Sequence, residues 1–326
     1  MTGRTRTVRC RTVWGVLIEV EIEDLNEFVT PAAVLEQRLV RVNGGTYVYK
    51  YVSQAEGKRD PRRYDLLDNE IRAGTRLGQS FGAYPAELAC LMAYNIDAVE
   101  PFVLLREYIG VPLAGPAARF TDAERRQCER ALFRALHLTS QAGVVHGAVT
   151  ADALRWDNGR VQLVDFESAE RVGEARRAGR VAANRSPEQL AGTGLVDAHD
   201  DVWGAAVLIR RLHLGPSADA QADRRHDPER LRGLLDPVFG NAAEHRPTPA
   251  ELLSRLHGDN HLPPYDDPYA VFARGREMFQ FVGRGKNGGA AVSTEDPKPV
   301  RKRRMFPFLS ALLLVSATIV MTAVLG

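Results

Sequence analysis

The stretch VVHGAVTADALRWDNGRVQLVDFES, residues 144–168, decides how the rest of the chain is read. Two β-prone runs flank a loop that opens on His146, and the second run ends on the pair Asp165-Phe166. The loop's interior is mostly alanine, valine and threonine, with Asp152 the one acid between His146 and Leu154.

Working outward, the chain before this stretch reads first as strands and then as helix. VWGVLIEVEI (13–22) and RLVRVNGGTYVYKYV (38–52) are strand-like, the second a hairpin turned at Asn43-Gly44-Gly45. A helical pattern follows at 64–77, with Leu67, Ile71, Gly74 and Leu77 on one face, and PFVLLREYI (101–109) is a further strand. Residues 121–143 carry the clearest helix. Thr121 and Glu124 make a capping box, Leu132, Leu136 and Leu138 supply apolar positions, and Gly143 ends it. Beyond residue 196 the pattern is mainly helical, so the whole reads as an α+β arrangement in two lobes, with no internal repeat.

Composition bounds the function. With 326 residues, 44% of them hydrophobic, the chain is long enough to bury a proper core, and its net charge of +2 gives no argument for nucleic acid. Only five of the 43 basic residues are lysines, a bias that suggests a GC-rich bacterial genome. Cys10, Cys90 and Cys128 are spaced like neither a disulfide framework nor a zinc site. Residues 306–326 contain no charge and as a helix would span roughly 30 Å, enough for a bilayer core. They follow a basic cluster, Arg301–Arg304, so the positive-inside rule makes this a C-terminal anchor with everything before it cytoplasmic. The Gly-, Pro- and charge-rich segment 283–304 reads as a tether.

The order of these elements and motifs resembles the protein kinase superfamily, in its bacterial Ser/Thr-kinase-like form, over roughly residues 35–257. The resemblance implies a two-lobed protein-kinase-like fold, with a small β-rich N-lobe and a larger α-helical C-lobe, to which the apolar stretch adds one transmembrane helix at 305–326. Residues 1–34 are an N-terminal extension with strands, and 258–304 a linker. By the same resemblance Lys50, in YVYKYV, stands where kinases keep the lysine that pairs with nucleotide phosphates. Glu70, in DNEIRAG, is its partner glutamate. Glu107 and Tyr108 lie near an adenine site, and Asp165 is a metal position, so ATP and magnesium are the cofactors implied. His146, Phe166, Glu188, Asp201, Trp203 and Arg246 match residues of the structural frame, with Glu188 and Arg246 forming an ion pair and Asp201 bonding the catalytic-loop backbone.

The departures fall on chemistry. Ala148 stands at the position of the catalytic base, Thr150 replaces a basic residue and Ala153 the asparagine that holds a second metal. Asp152 is out of step with both lost positions, Glu167 replaces the glycine after Asp165-Phe166, and IEDLNEFVTPAAVLEQRL has no glycine from which to build a phosphate loop. Losing a general base costs about 10²- to 10⁴-fold in rate, so ordinary kinase activity is not expected. The expected function is a membrane-anchored pseudokinase that scaffolds or allosterically regulates a protein partner at the cytoplasmic membrane face. An active or atypical Ser/Thr kinase and a non-catalytic ATP-binding switch are the alternatives.

Overall fold

Asn43 and Gly44 both hold positive φ, 47° and 83°, which is the backbone of the tight turn that matches strand twist. They join β3 (Glu36–Val42) to β4 (Gly45–Tyr51), in register from Val42 opposite Gly45 to Glu36 opposite Tyr51. The computed structural model describes residues 5–114, 120–178, 184–218, 223–240 and 242–264. A longer hairpin precedes this one, made of β1 (Thr5–Thr12) and β2 (Leu17–Glu27) and turned through Gly15 at φ 77°. The run 13–22, expected as one strand, is therefore turn over its first four residues and strand only from Leu17. Helices α1 (Gln54–Arg59) and α2 (Arg62–Ser80) follow, then β5 (Leu91–Asn95) and β6 (Phe102–Arg106).

These six strands close on themselves in the order β1-β2-β3-β4-β6-β5, because Arg11 and Thr12 of β1 pair with Tyr94 and Ala93 of β5. The two-lobed kinase-like fold class with a C-terminal transmembrane helix is corrected by this architecture. The β part is a closed antiparallel barrel, and residues 5–27 are the strands that close it. Among the described residues no helix is long and apolar enough to cross a membrane. The stretch 305–326, the basic cluster Arg301–Arg304 and the tether before them lie outside the described residues.

Strand alternation sorts β4 between two cores. Tyr47, Tyr49 and Tyr51 pack with Cys10, Ile22, Val40 and Phe102 on one face, where the Tyr49 and Phe102 rings stack at 4.8 Å. Val48 and Val52 turn the other way, onto Leu67, Ile71 and Leu77 of α2. Gly74 lets α2 sit close against the barrel, since a Cβ there would meet Leu91 Cβ at 2.6 Å. Lys50 shares the face of Val48 and Val52, so its ammonium is carried toward α2 rather than toward water.

The helical part is built around α3 (Asp122–Gln141), whose capping box at Thr121 and Glu124 is formed in full. Beside it run β7 (Val111–Pro112), β8 (Val144–Val145), β9 (Leu154–Asp157), β10 (Arg160–Leu163) and β11 (Glu170–Arg171). The sheet β10-β9-β7 and the pair β11-β8 hold the loop after β8 and the turn after β10 face to face. Helices α4 (Pro187–Ala191), α5 (His199–Leu214), α6 (Glu229–Phe239) and α7 (Pro249–Arg255) complete it, with the first two-thirds of α5 buried. All three cysteines are free and buried.

Candidate functional site

Lys50 is fully buried, and three carboxylates converge on its ammonium: Asp165 at 2.6 Å, Glu70 at 2.9 Å and Glu167 at 3.2 Å. They come from two separate places. Glu70 lies on the buried face of α2, whereas Asp165 and Glu167 stand on the turn after β10, where Asp165 holds left-handed backbone at φ 62°. That conformation is one aspartate tolerates better than most side chains.

The cluster is sealed by the residues around it. Gln37 of β3 sits opposite Lys50 in the strand register and donates from Nε2 to Asp165 Oδ1 at 3.3 Å. The same amide is held by Thr30, whose backbone N–H donates to Gln37 Oε1 at 3.1 Å. Glu167 Oε2 accepts backbone N–H groups from Val34 at 2.8 Å and Leu35 at 3.4 Å, and its own carbonyl accepts from Asn69 Nδ2 at 2.8 Å. The glycine-free connection between β2 and β3 thus lies against the cluster. Two of its backbone N–H groups, at Val34 and Leu35, are spent on a carboxylate of the chain itself.

One ammonium cannot neutralise three carboxylates in a site excluded from water. Burial, with Asp165 and Glu167 adding to it and Lys50 opposing it, pushes the Glu70 carboxyl up to about 7. Burial pulls the Lys50 ammonium down, but Asp165 and Glu70 outweigh it and hold the group well above the ordinary lysine value. Near neutral pH Lys50 therefore stays charged, while Glu70 holds its proton to higher pH than an ordinary carboxyl.

The other residues expected to hold nucleotide divide. Tyr108 is buried near the cluster, 6.1 Å from the Phe28 ring, and its hydroxyl has no hydrogen-bond partner. Glu107 is exposed. Magnesium takes six oxygen ligands, several of them usually water. Here Asp165 Oδ1 is occupied by Lys50 and Gln37, and only the buried Oδ2 is without a hydrogen-bond partner. Ala153, at the second metal position, is buried and offers no side-chain oxygen. Among the described residues no group of His, Cys, Asp and Glu is placed to hold a metal ion. The residues present do not fit a magnesium–nucleotide pair.

The frame residues are joined by specific contacts. Asp201 accepts the backbone N–H groups of His146 at 2.6 Å and Gly147 at 2.9 Å, and burial pushes its carboxyl up to about 7 against the pull of those bonds. His146 is buried and edge-on to Phe166 at 4.8 Å. Its Nε2 donates to the Val164 carbonyl at 2.9 Å and its Nδ1 accepts from Ala148 N–H at 3.3 Å. Burial pulls its pKa down to about 4, so the ring is neutral and spends both nitrogens on the backbone. Arg246 bonds both oxygens of Glu188, at 2.8 and 2.9 Å, and lies 4.7 Å from the Trp203 ring centre. Ala148 adds only a methyl group to this loop, its backbone N–H being the donor to His146.

Glu167 and Gln37 carry the closure, and the sequence reading did not assign them. Gln37 left a trace: it is a polar residue at an inward position of a strand, opposite a lysine on the neighbouring strand. Glu167 read only as a lost glycine.

The chain matches no protein-family model, and no curated protein matches it either. Neither comparison adds support to the kinase resemblance expected from the sequence.

Proposed function

We propose that the chain is a non-catalytic binding protein, a pseudokinase-like regulator or scaffold that engages a protein partner at the cytoplasmic face of a membrane. The observation that carries this reading is the Lys50 cluster. A lysine that served nucleotide phosphates would need a space beside it for them, and here that space is filled by Glu70, Asp165 and Glu167 and covered by Gln37, Val34 and Leu35. Ala148 and Ala153 support it from the other side. Neither can orient a hydroxyl nor hold a metal, and phosphoryl transfer is achieved almost wholly by such positioning and charge neutralisation. Meanwhile Asp201, Glu188 and Arg246 keep their contacts, so the loss is confined to chemistry and spares the scaffold. Membrane attachment is supported by the uncharged stretch 306–326 behind its arginine cluster.

The test pairs two measurements on the full chain. ATP with magnesium should leave the melting temperature unchanged, and labelled phosphate should be transferred neither to the protein nor to an added substrate protein. Phosphoryl transfer that disappears in Lys50→Ala would refute the reading. A melting shift with ATP but no transfer would replace the scaffold by a nucleotide-responsive switch.

A further inference from the structure

On the helical part, away from the Lys50 cluster, a cavity of about 490 Å³ opens between α3, the hairpin β9–β10 and the turn after α7. That is the size of a ligand site rather than of a packing defect. Its floor is apolar, with Ala131, Val161 and Leu253, and its rim is basic, with Arg130, Arg155 and Arg160.

The charges do not cancel. Arg134, also in the wall, is tied to Glu87 at 2.7 Å and Asp259 at 3.6 Å, so those two carboxylates are spent. Arg155 donates to the carbonyls of Ile109 and Gly110, not to an acid. Among the described residues Arg130, Arg155 and Arg160 have no carboxylate partner, and the one acid left in the lining is Asp157, which accepts from Asn158. Three cations against one carboxylate leave a positive rim around an apolar floor.

The backbone adds a direction. β10 is the outer strand of its three-stranded sheet, and the passing segment 87–89 already pairs with its far end: Leu163 N–H donates to the Glu87 carbonyl at 2.8 Å, and Ala89 N–H to the Leu163 carbonyl at 2.9 Å. The run Arg160, Val161, Gln162 before that point lies in the cavity wall. An extended segment of another protein could lie along this edge as a further strand, a recurrent mode of peptide capture.

We infer that this cavity is the docking site for an acidic peptide segment of a protein partner, its carboxylates on Arg130 and Arg160 and an aliphatic side chain on the Ala131–Val161–Leu253 floor. A free inorganic anion would meet the rim but leave the floor wet. The inference rests on the reading of the chain as a binding protein only in that the ligand belongs to a protein.

The probe is a fluorescein-labelled peptide of alternating glutamate and leucine, followed by anisotropy on the full chain in a zwitterionic detergent. Its glutamine–leucine counterpart and tripolyphosphate are the comparison arms. Saturable binding is expected, weakened about tenfold or more by Arg130→Glu with Arg160→Glu and several-fold by raising salt, as surface ion pairing is screened. The equal charge change Arg41→Glu with Arg232→Glu, placed elsewhere, should leave it unaltered. Both lining arginines reach solvent, so the variant keeps its fold, and an unchanged melting temperature verifies that. Absence of binding, binding indifferent to the Arg130 and Arg160 changes, or tripolyphosphate binding as tightly as the peptide would each overturn the inference. None of these results bears on ATP binding or label transfer, so the failure of one reading is separable from failure of the other.

Discussion

Lys50→Met is the substitution that most directly tests what the cluster is. Methionine keeps the length and apolar stem of the lysine but removes the charge that Asp165, Glu70 and Glu167 share at 2.6 to 3.2 Å. None of the four side chains is more than 4% exposed, so water cannot take over the ammonium's role. Removing one partner of a buried ion pair typically costs about 3–5 kcal/mol, because the remaining charge stays in a poorly solvating place. Against a total stability of about 5–15 kcal/mol that is a large fraction. For a chain of this size it corresponds to a fall in melting temperature of roughly 6 to 20 °C. The assay is thermal and urea unfolding near neutral pH, followed by circular dichroism. Replacing all four groups together, as Lys50→Met, Glu70→Gln, Asp165→Asn and Glu167→Gln, should recover most of the loss, since a neutral hydrogen-bonded cluster strands no charge. A lysine in an open, solvated cleft would give the opposite pattern, with its removal costing at most about 1 kcal/mol. If Lys50→Met melts within about 2 °C of the unmodified chain, the cluster is not the closed ionic centre described above.

Three further outcomes concern Glu70, Arg246 and Gly110. The Glu70 carboxyl is raised from 4.5 to about 7 by burial, so the stability it contributes is complete below pH 4.5 and lost as pH rises through about 7. That loss is at most roughly 3 kcal/mol, and Glu70→Gln should abolish it, measured as the difference between the two unfolding curves across pH because Asp201 and His146 titrate in both. Arg246→Ala should cost about 2–4 kcal/mol in urea unfolding: it strands the Glu188 carboxylate and removes a cation from the Trp203 face. Arg246→Lys should recover only part, since a lysine cannot lie flat on that ring. Gly110→Ala should destabilise by about 1–3 kcal/mol, because φ there is 71° and a Cβ would lie 2.2 Å from the Trp156 carbonyl oxygen. A melting temperature unchanged by that substitution would refute the close approach.

What could be read from residues alone was whatever has a short-range signature. The turn at Asn43-Gly44 needs positive φ at two consecutive residues, and the capping box at Thr121 and Glu124 is complete within four. Lys50 and Glu70, or Asp201 and the loop at His146, could be named in advance only because a known family's order was laid over them. Barrel closure had no such signal. It depends on Arg11 and Thr12 meeting Tyr94 and Ala93, more than eighty residues away, and on a turn at Gly15 inside what read as one continuous strand. The plugging of the cluster was hidden for a related reason. Whether a glutamate at 167 faces solvent or accepts the Val34 and Leu35 N–H groups is settled by how the β2–β3 connection packs, which neither segment encodes by itself.

A ring of strands has no place at which to begin fraying. In an open sheet the outermost strand peels first and offers its bare backbone to neighbouring molecules. In this barrel each strand has a neighbour on both sides, with β1 meeting β5 through Arg11 and Thr12, and the hairpin β1–β2 is the clasp. Cutting the chain before β3 would create two raw borders at once, one along β3 and one along β5. The hairpin β1–β2 thus insulates the β part from its own copies, and a shortened protein made without it to simplify expression would be the version that precipitates.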